Sequence, residues 1–269
     1  MPDILWAEAA DIPASDRGLA YGDGLFETIR VFNGQPSLLL RHLDRLREGA
    51  RRLGIPLQGV DLGRLVSEAC QRYAREPDWV LKIMLTRGSG GRGYAPPSSA
   101  RPRLILDAHP VPDKPDSAGV TACMSSVTLA VNPVLAGMKS LARIEQVLAS
   151  QSIRPGCYEA LMTDPCGRLL EGTRTNLLLR LGDRWLTPPA SGLAVAGIMR
   201  AKVMDALGRA GEAVREGHLL PAMLASRDCG GLWLMNSVIG VVPVRSVGCV
   251  RLPVAPRLAT IDPQSLFTE

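Results

Sequence analysis

Lys139 is the residue whose type and setting most favour chemistry. It stands between an irregular approach, Asn132-Pro133-Val134-Leu135-Ala136-Gly137, and a segment in which Leu141, Ile144, Val147 and Leu148 recur at helical spacing. That spacing predicts an amphipathic helix buried on one side, with Lys139 just before its first turn and close to the positive end of the helix dipole. Partial burial and a positive neighbourhood both disfavour the ammonium form, and an amine held this way can form a Schiff base near neutral pH. Most lysines at helix starts are solvated charges, so this one must be judged by its company.

That company is spread along the chain. Arg45, in Arg41-His42-Leu43-Asp44-Arg45-Leu46, leaves a helix beside the apolar stripe of Leu43 and Leu46, where a guanidinium can take a phosphate with two hydrogen bonds. Glu171 ends an apolar strand and precedes Gly172-Thr173-Arg174-Thr175, a setting that points a carboxylate into a cleft or simply ends a strand. Small residues from Ser191 to Gly197 lead into a helix at Ile198 and Met199, whose first N–H groups suit an anion or merely start a helix. Asn236 and Ser237, at another strand end, offer polar donors or form a plain turn.

The elements that must carry these residues are marked by hydrophobic pattern and by turn residues. A short strand at 4–7 and a glycine-punctuated loop lead into a strand at 25–32, an Asn33-Gly34 hairpin turn and a returning strand at 36–40. Helices come next, from about Arg41 to Gly54 and from about Leu62 to Arg75, then strands at 79–86 and 101–108 around the loop Arg87-Gly88-Ser89-Gly90-Gly91-Arg92-Gly93-Tyr94. Pro110, Pro112 and Pro115 mark a linker. Beyond it come a strand at 120–127, the lysine segment, short strands at 160–163, 169–171, 176–181 and 184–186, a helix at 197–211, a polar helical stretch to about Ser226, and strands at 232–235 and 240–243. Strands with segregated helices predict an α+β fold in two domains, 1–108 and 119–269, joined by 109–118, with the lysine in the second.

Composition narrows the function classes. The chain of 269 residues, 46% hydrophobic, is long enough for two cores, and it has neither an apolar run of membrane-spanning length nor a signal-peptide start. The expectation is a cytoplasmic protein with no membrane partner. Six scattered cysteines without a C-x-x-C pair read as reduced thiols and leave no metal site to expect. A net charge of +5 fits nucleic acid or a small anion, but aromatics at 4% leave little for bases to stack on, so no nucleic-acid partner is expected. An RGG-like loop keeps single-stranded nucleic acid open as the competing reading.

Taken together and in order, these stretches resemble the class IV pyridoxal-phosphate enzymes, the branched-chain aminotransferase-like group. That group also contains D-amino-acid aminotransferase and aminodeoxychorismate lyase. The resemblance runs through Tyr21-Gly22-Asp23-Gly24-Leu25-Phe26-Glu27-Thr28, His42-x-x-Arg45-Leu46, Lys139-x-Leu141, Leu170-Glu171 with Asn176-Leu177, Gly197-Ile198-Met199-Arg200 and Asn236-Ser237. It implies a two-domain fold-type IV architecture, a homodimer and pyridoxal 5'-phosphate as cofactor. Lys139 would be the Schiff-base lysine and general base, and Glu171 the partner of the pyridine nitrogen. Arg45, Ile198, Met199, Asn236 and Ser237 would hold the phosphate.

Within the class, the glycine-rich loop and the run from Asn132 to Leu148 resemble those of aminodeoxychorismate lyases. This implies conversion of 4-amino-4-deoxychorismate to p-aminobenzoate and pyruvate, a step of folate biosynthesis. Arg87, Arg92, Tyr94 and Tyr21 become the substrate-binding candidates, with Thr28 assisting proton transfer. Ser140 and Ala142 stand where the lyases often carry His and Asn, and Leu178 where they carry Phe. These departures keep open an aminotransferase acting on D-amino acids or branched-chain amino acids.

Overall fold

A computed structural model describes residues 2–73, 76–254, 258 and 264–268 and divides into two compact units. The first comprises Met1–Val111 together with Met138–Ala142, and the second comprises Pro112–Gly137 and Arg143–Thr268. The segment carrying Lys139 therefore packs with the first unit, not with the second as its place in the sequence suggested.

In the first unit, strands β1 (Asp3–Trp6), β2 (Gly24–Phe32), β3 (Gln35–Pro36), β4 (Asp78–Thr86) and β5 (Arg103–Pro110) form one sheet in the order β1-β5-β4-β2-β3. Short helix α1 (Arg17–Tyr21) precedes β2, and α2 (Leu39–Leu53) and α3 (Leu62–Arg72) lie between β3 and β4. The predicted extension of α3 to Arg75 falls on residues 74 and 75, outside the described residues. Asn33 and Gly34 both take positive φ and form the two-residue hairpin turn between β2 and β3 that the pair predicted. The returning strand is shorter than expected, because Leu38 turns the chain into α2.

Side chains alternate along β2. Leu25, Glu27, Ile29 and Val31 are buried, while Phe26, Thr28 and Arg30 on the other face are less so. Leu25, Ile29 and Val31 pack with Leu43, Leu46 and Ala50 of α2. Glu27 is thus a carboxylate at a position that otherwise belongs to the core.

In the second unit, β6 (Val120–Met124), β7 (Glu159–Thr163), β8 (Leu169–Gly172), β9 (Asn176–Leu181), β12 (Cys229–Asn236) and β13 (Gly240–Val247) pair in a ring that closes at the β8–β9 hairpin. β10 (Arg184–Thr187) and β11 (Val214–Glu216) extend it, and β14 (Val250–Arg251) pairs with β13. A ring leaves few unpaired edges. Its interior is apolar, with Leu161, Leu177, Leu179, Leu234 and Val244 fully buried. Helices α4 (Ile144–Gln151), α5 (Ile198–Arg209) and α6 (Pro221–Leu224) complete the unit. Where a polar helical stretch was expected after Gly211, the chain forms β11 and the single turn α6.

Helix α4 differs from the helix that the apolar spacing predicts. It begins at Ile144, not beside Lys139, and the residues predicted to be inside are outside: Ile144 is 67% exposed, and Val147 and Leu148 are about half exposed. Its inner face is Gln146 and Ala149, the latter packed with Leu129, Met162, Leu170 and Leu193. The segment 138–142 lies outside any helix, with one isolated bridge at Ser140 and a tight turn about Lys139 in which Ser140 N donates to the Met138 carbonyl at 2.9 Å, so Lys139 is not at the first turn of α4.

Candidate active site

In the first unit, Lys139 is fixed to the start of β2 through its backbone. Its carbonyl accepts from Phe26 N at 2.9 Å, Leu141 N donates to the Gly24 carbonyl at 2.9 Å, and Ser140 lies opposite Leu25. A side chain at Gly24 would meet the Leu85 carbonyl oxygen at 2.3 Å and Leu141 at 2.7 Å, so only glycine permits this approach. The Nζ of Lys139 lies 4.3 Å from the centroid of the Phe26 ring. Thr28 comes two residues later on the same face of β2, so the sheet presents an amine, an aromatic wall and a hydroxyl together.

Arg45 is held from the side. Its Nε and Nη2 donate to the two oxygens of Glu27 at 2.7 and 2.6 Å, and His42 Nδ1 lies 2.6 Å from Glu27 Oε2. Burial pushes the Glu27 carboxyl upward, but the Arg45 charge and the hydrogen bonds of Arg45 and His42 outweigh it and bring the pKa down to about 2. Burial also drives His42 below the ordinary imidazole value, against the pull of Glu27, and the positive charges of Arg45 and Lys139 act in the same direction. Glu27 and His42 both lie inside the motifs, but neither stands out as a functional residue in the sequence. The signal was there, in a helical i, i+3 spacing that puts His42 and Arg45 on one side of α2.

The glycine-rich loop is anchored, and two of its residues have different fates. Arg87 is buried, with Nε and Nη2 on Asp23 at 2.7 and 3.0 Å and further bonds to the carbonyls of Leu53 and Gly54. It ties the strand end to α2, so this substrate-binding candidate is already engaged with Asp23 and two carbonyls. Arg92 and Tyr94 are exposed, and Tyr94 packs edge-on against Tyr21 with ring centroids 5.6 Å apart. The organiser is Arg17, which sequence reasoning passed over. It is buried, pairs with Asp23 at 2.9 Å, and donates to the carbonyls of Gly93, Tyr94 and Ala95. Burial raises and the two guanidiniums more than offset, so the Asp23 carboxyl titrates below its usual range.

In the second unit, Glu171 and Asn176 pair directly across the β8–β9 hairpin. Glu171 Oε2 accepts from Val195 N at 3.1 Å, and Asn176 Nδ2 donates to the Val195 carbonyl at 3.0 Å. The loop before α5 is pinned a second time at Gly137, whose N and O bond Leu193 O and Ala196 N at 2.8 and 3.1 Å. Gly197 is the N-cap of α5 and supplies no side chain to its first N–H groups, those of Ile198 and Met199. Asn236 closes the β12–β13 turn, its Oδ1 accepting from Val238 N and Ile239 N at 2.9 Å and its Nδ2 donating to Arg174 O at 3.1 Å. Ser237 is the next residue of that turn.

A further residue went unnoticed in the sequence: Glu159, fully buried, accepts from Thr173 N and Oγ1 at 2.9 and 2.6 Å and from Thr175 Oγ1 at 2.9 Å. It braces the turn after Glu171. A cleft of ≈ 370 Å³ in the same unit, lined by residues including Leu129, Arg168, Leu170 and His218, takes in none of the predicted site residues.

The family model for amino-transferase class IV matches residues 24–247, which takes in every motif from β2 to β13. The chain belongs to the class IV aminotransferase family. It is 30% identical to the aminodeoxychorismate lyase of Vibrio harveyi, over 88% of this chain and 87% of that one. The crystal structure of 4-amino-4-deoxychorismate lyase from Pseudomonas aeruginosa superposes with a TM-score of 0.88 at 41% identity, covering 95% of this chain and 94% of that one. A putative branched-chain-amino-acid aminotransferase of Methanocaldococcus jannaschii is 32% identical, over 87% and 82%. The fold-type IV architecture of this class IV chain is the α+β arrangement that the motifs predicted.

Proposed function

We propose that the protein is a pyridoxal-phosphate-dependent 4-amino-4-deoxychorismate lyase. The observation that carries this reading is the seating of Lys139 against Phe26, with Thr28 on the same face of β2, in a class IV chain whose relatives include two lyases at 30 and 41% identity. Each unit carries groups that fit the cofactor: in the first, an anchored lysine and a guanidinium; in the second, a buried carboxylate suited to a cationic ring nitrogen and a helix start without a side-chain cap suited to a phosphate.

When bound, pyridoxal phosphate supplies an electron sink for carbanion chemistry. Lys139 would hold it and, as general base, would take the proton from the amine-bearing ring carbon of the substrate. Glu171, oriented by Val195 N, holds the positive charge of the pyridine nitrogen. Arg45, the backbone of Ile198 and Met199, and the Asn236-Ser237 turn take the phosphate. Proton removal breaks the ring C–O bond to the enolpyruvyl group, which leaves and gains a proton to become pyruvate, and the ring becomes aromatic as p-aminobenzoate. Thr28 assists this proton movement. Arg92 meets a substrate carboxylate, and Tyr21 and Tyr94, packed edge-on against each other, help to bind the substrate.

The exposed apolar face of α4 supports a homodimer, which a sedimentation mass of one chain would overturn. Among the described residues no helix is long and apolar enough to cross a membrane. The substrate is a small molecule, and a cytoplasmic location accompanies this reading. The test is direct: purified protein incubated with 4-amino-4-deoxychorismate should release pyruvate and p-aminobenzoate in equal amounts. Keto-acid formation from D-alanine or a branched-chain amino acid, without p-aminobenzoate, would make it an aminotransferase instead.

A further inference from the structure

Glu27 has no part in the proposed reaction, yet it occupies a core position on β2 at 1% side-chain exposure. A carboxylate there carries a desolvation cost that a leucine would not. Its neighbours are Arg45, 16% exposed, and His42, fully buried. Glu27 Oε1 and Oε2 each receive one fork nitrogen of Arg45, so the guanidinium plane is set by the carboxylate plane. His42 closes the other side: Nδ1 lies 2.6 Å from Oε2, while its Nε2 is buried without a hydrogen-bond partner. With Glu27 ionised, the proton belongs on Nδ1, and the imidazole is a neutral brace.

We propose that Glu27, braced by His42, is a positioning residue that holds Arg45 in the orientation needed to bind the cofactor phosphate. This rests on the reading of Arg45 as a phosphate ligand. An unheld arginine has several rotatable bonds to freeze when it binds, and the fork removes that cost before the anion arrives. Charge alone argues the other way. Glu27 neutralises Arg45, so a purely electrostatic view expects its removal to strengthen phosphate binding. The two accounts therefore predict opposite signs.

The test uses the full chain stripped of cofactor and titrated, by absorbance, with pyridoxal phosphate and separately with pyridoxal, which lacks the phosphate. The ratio of the two affinities isolates the phosphate contribution. Arg45→Ala should collapse that ratio. Glu27→Gln should lower it roughly tenfold, the scale at which outer partners of a binding residue act, with pyridoxal affinity unchanged. His42→Gln should lower it less. A Glu27→Gln ratio equal to or above wild type, with Arg45→Ala lowering it, would overturn the proposal while sparing the reading of Arg45. An unchanged ratio in Arg45→Ala would overturn both. Should Glu27→Gln fail to fold, Glu27→Asp keeps the charge but shortens the fork, and an undiminished ratio there would equally overturn the proposal.

Discussion

Glu171 and Asn176 face each other across the hairpin that closes the strand ring, and they hold the two backbone polar groups of one residue, Val195. The carboxylate of Glu171 therefore has two duties, one structural and one electrostatic, and a substitution can separate them. In Glu171→Gln the amide oxygen still accepts from Val195 N, so the fold should survive with a stability change under about 1 kcal/mol. The charge proposed to hold the pyridine nitrogen is lost, and turnover should fall by roughly two orders of magnitude, as for removal of one preorganised electrostatic partner. Thermal unfolding together with steady-state rates reads both. A Gln variant with full turnover would remove Glu171 from the mechanism.

The two arginines of the glycine-rich loop should behave as different kinds of residue. Arg87 is buried and bonded to Asp23 and to two carbonyls of the α2 end, whereas Arg92 is exposed. Arg87→Ala should lower stability by about 2 kcal/mol, because it breaks the bonds to two carbonyls at the α2 end and removes one of the two guanidiniums that offset Asp23. Arg92→Ala should leave stability within about 0.5 kcal/mol and raise KM with little change in kcat. Urea unfolding beside kinetics in substrate concentration makes the comparison. A destabilised Arg92→Ala would contradict the exposure of that side chain.

Much of this site is legible in the sequence, because its signals are local. Asn33-Gly34 gives its turn from backbone chemistry alone, and Gly54 its helix end, both at positive φ. The acid at Glu171 and the helix start at Gly197 are likewise read from a strand end and a run of small residues. What escapes is decided by distant contacts. Arg17 organises carbonyls more than seventy residues away, and nothing beside it in the sequence announces them. Helical spacing suggested that Ile144, Val147 and Leu148 face inward, yet a spacing rule finds an apolar face without saying what covers it. Lys139 was placed by its helix, but the partner that fixes it, β2, lies more than a hundred residues earlier.

Acid should destabilise the first unit in two stages. His42 titrates below its ordinary 6.5 in the folded chain, so below that pH the unfolded chain binds a proton that the buried ring refuses, and stability falls. Glu27, lowered from 4.5 to about 2, contributes stability that is complete above 4.5 and is lost as the pH falls toward 2. The signs agree, since in both ranges the unfolded state binds more protons. Urea unfolding of wild type and His42→Gln between pH 8 and 5, a range set by the ordinary imidazole value, should show a decline in wild type that the variant lacks. Parallel profiles would mean that His42 is not the group responsible.

Gly197 offers the sharpest test of how the α5 start is held. Its φ of −71° is open to any residue, so the requirement for glycine is one of space: an added Cβ would lie 2.0 Å from Asn176 Oδ1. In Gly197→Ala, Asn176 must swing away and give up its bond to the Val195 carbonyl, at a cost of about 1–3 kcal/mol for the overpacking. Asn176→Ala alone should cost about 1 kcal/mol through the same lost hydrogen bond. Because both substitutions act on one contact, the double variant should be less destabilised than the sum of the two. Additive losses in urea unfolding would show that the clash with Asn176 is not why glycine stands there.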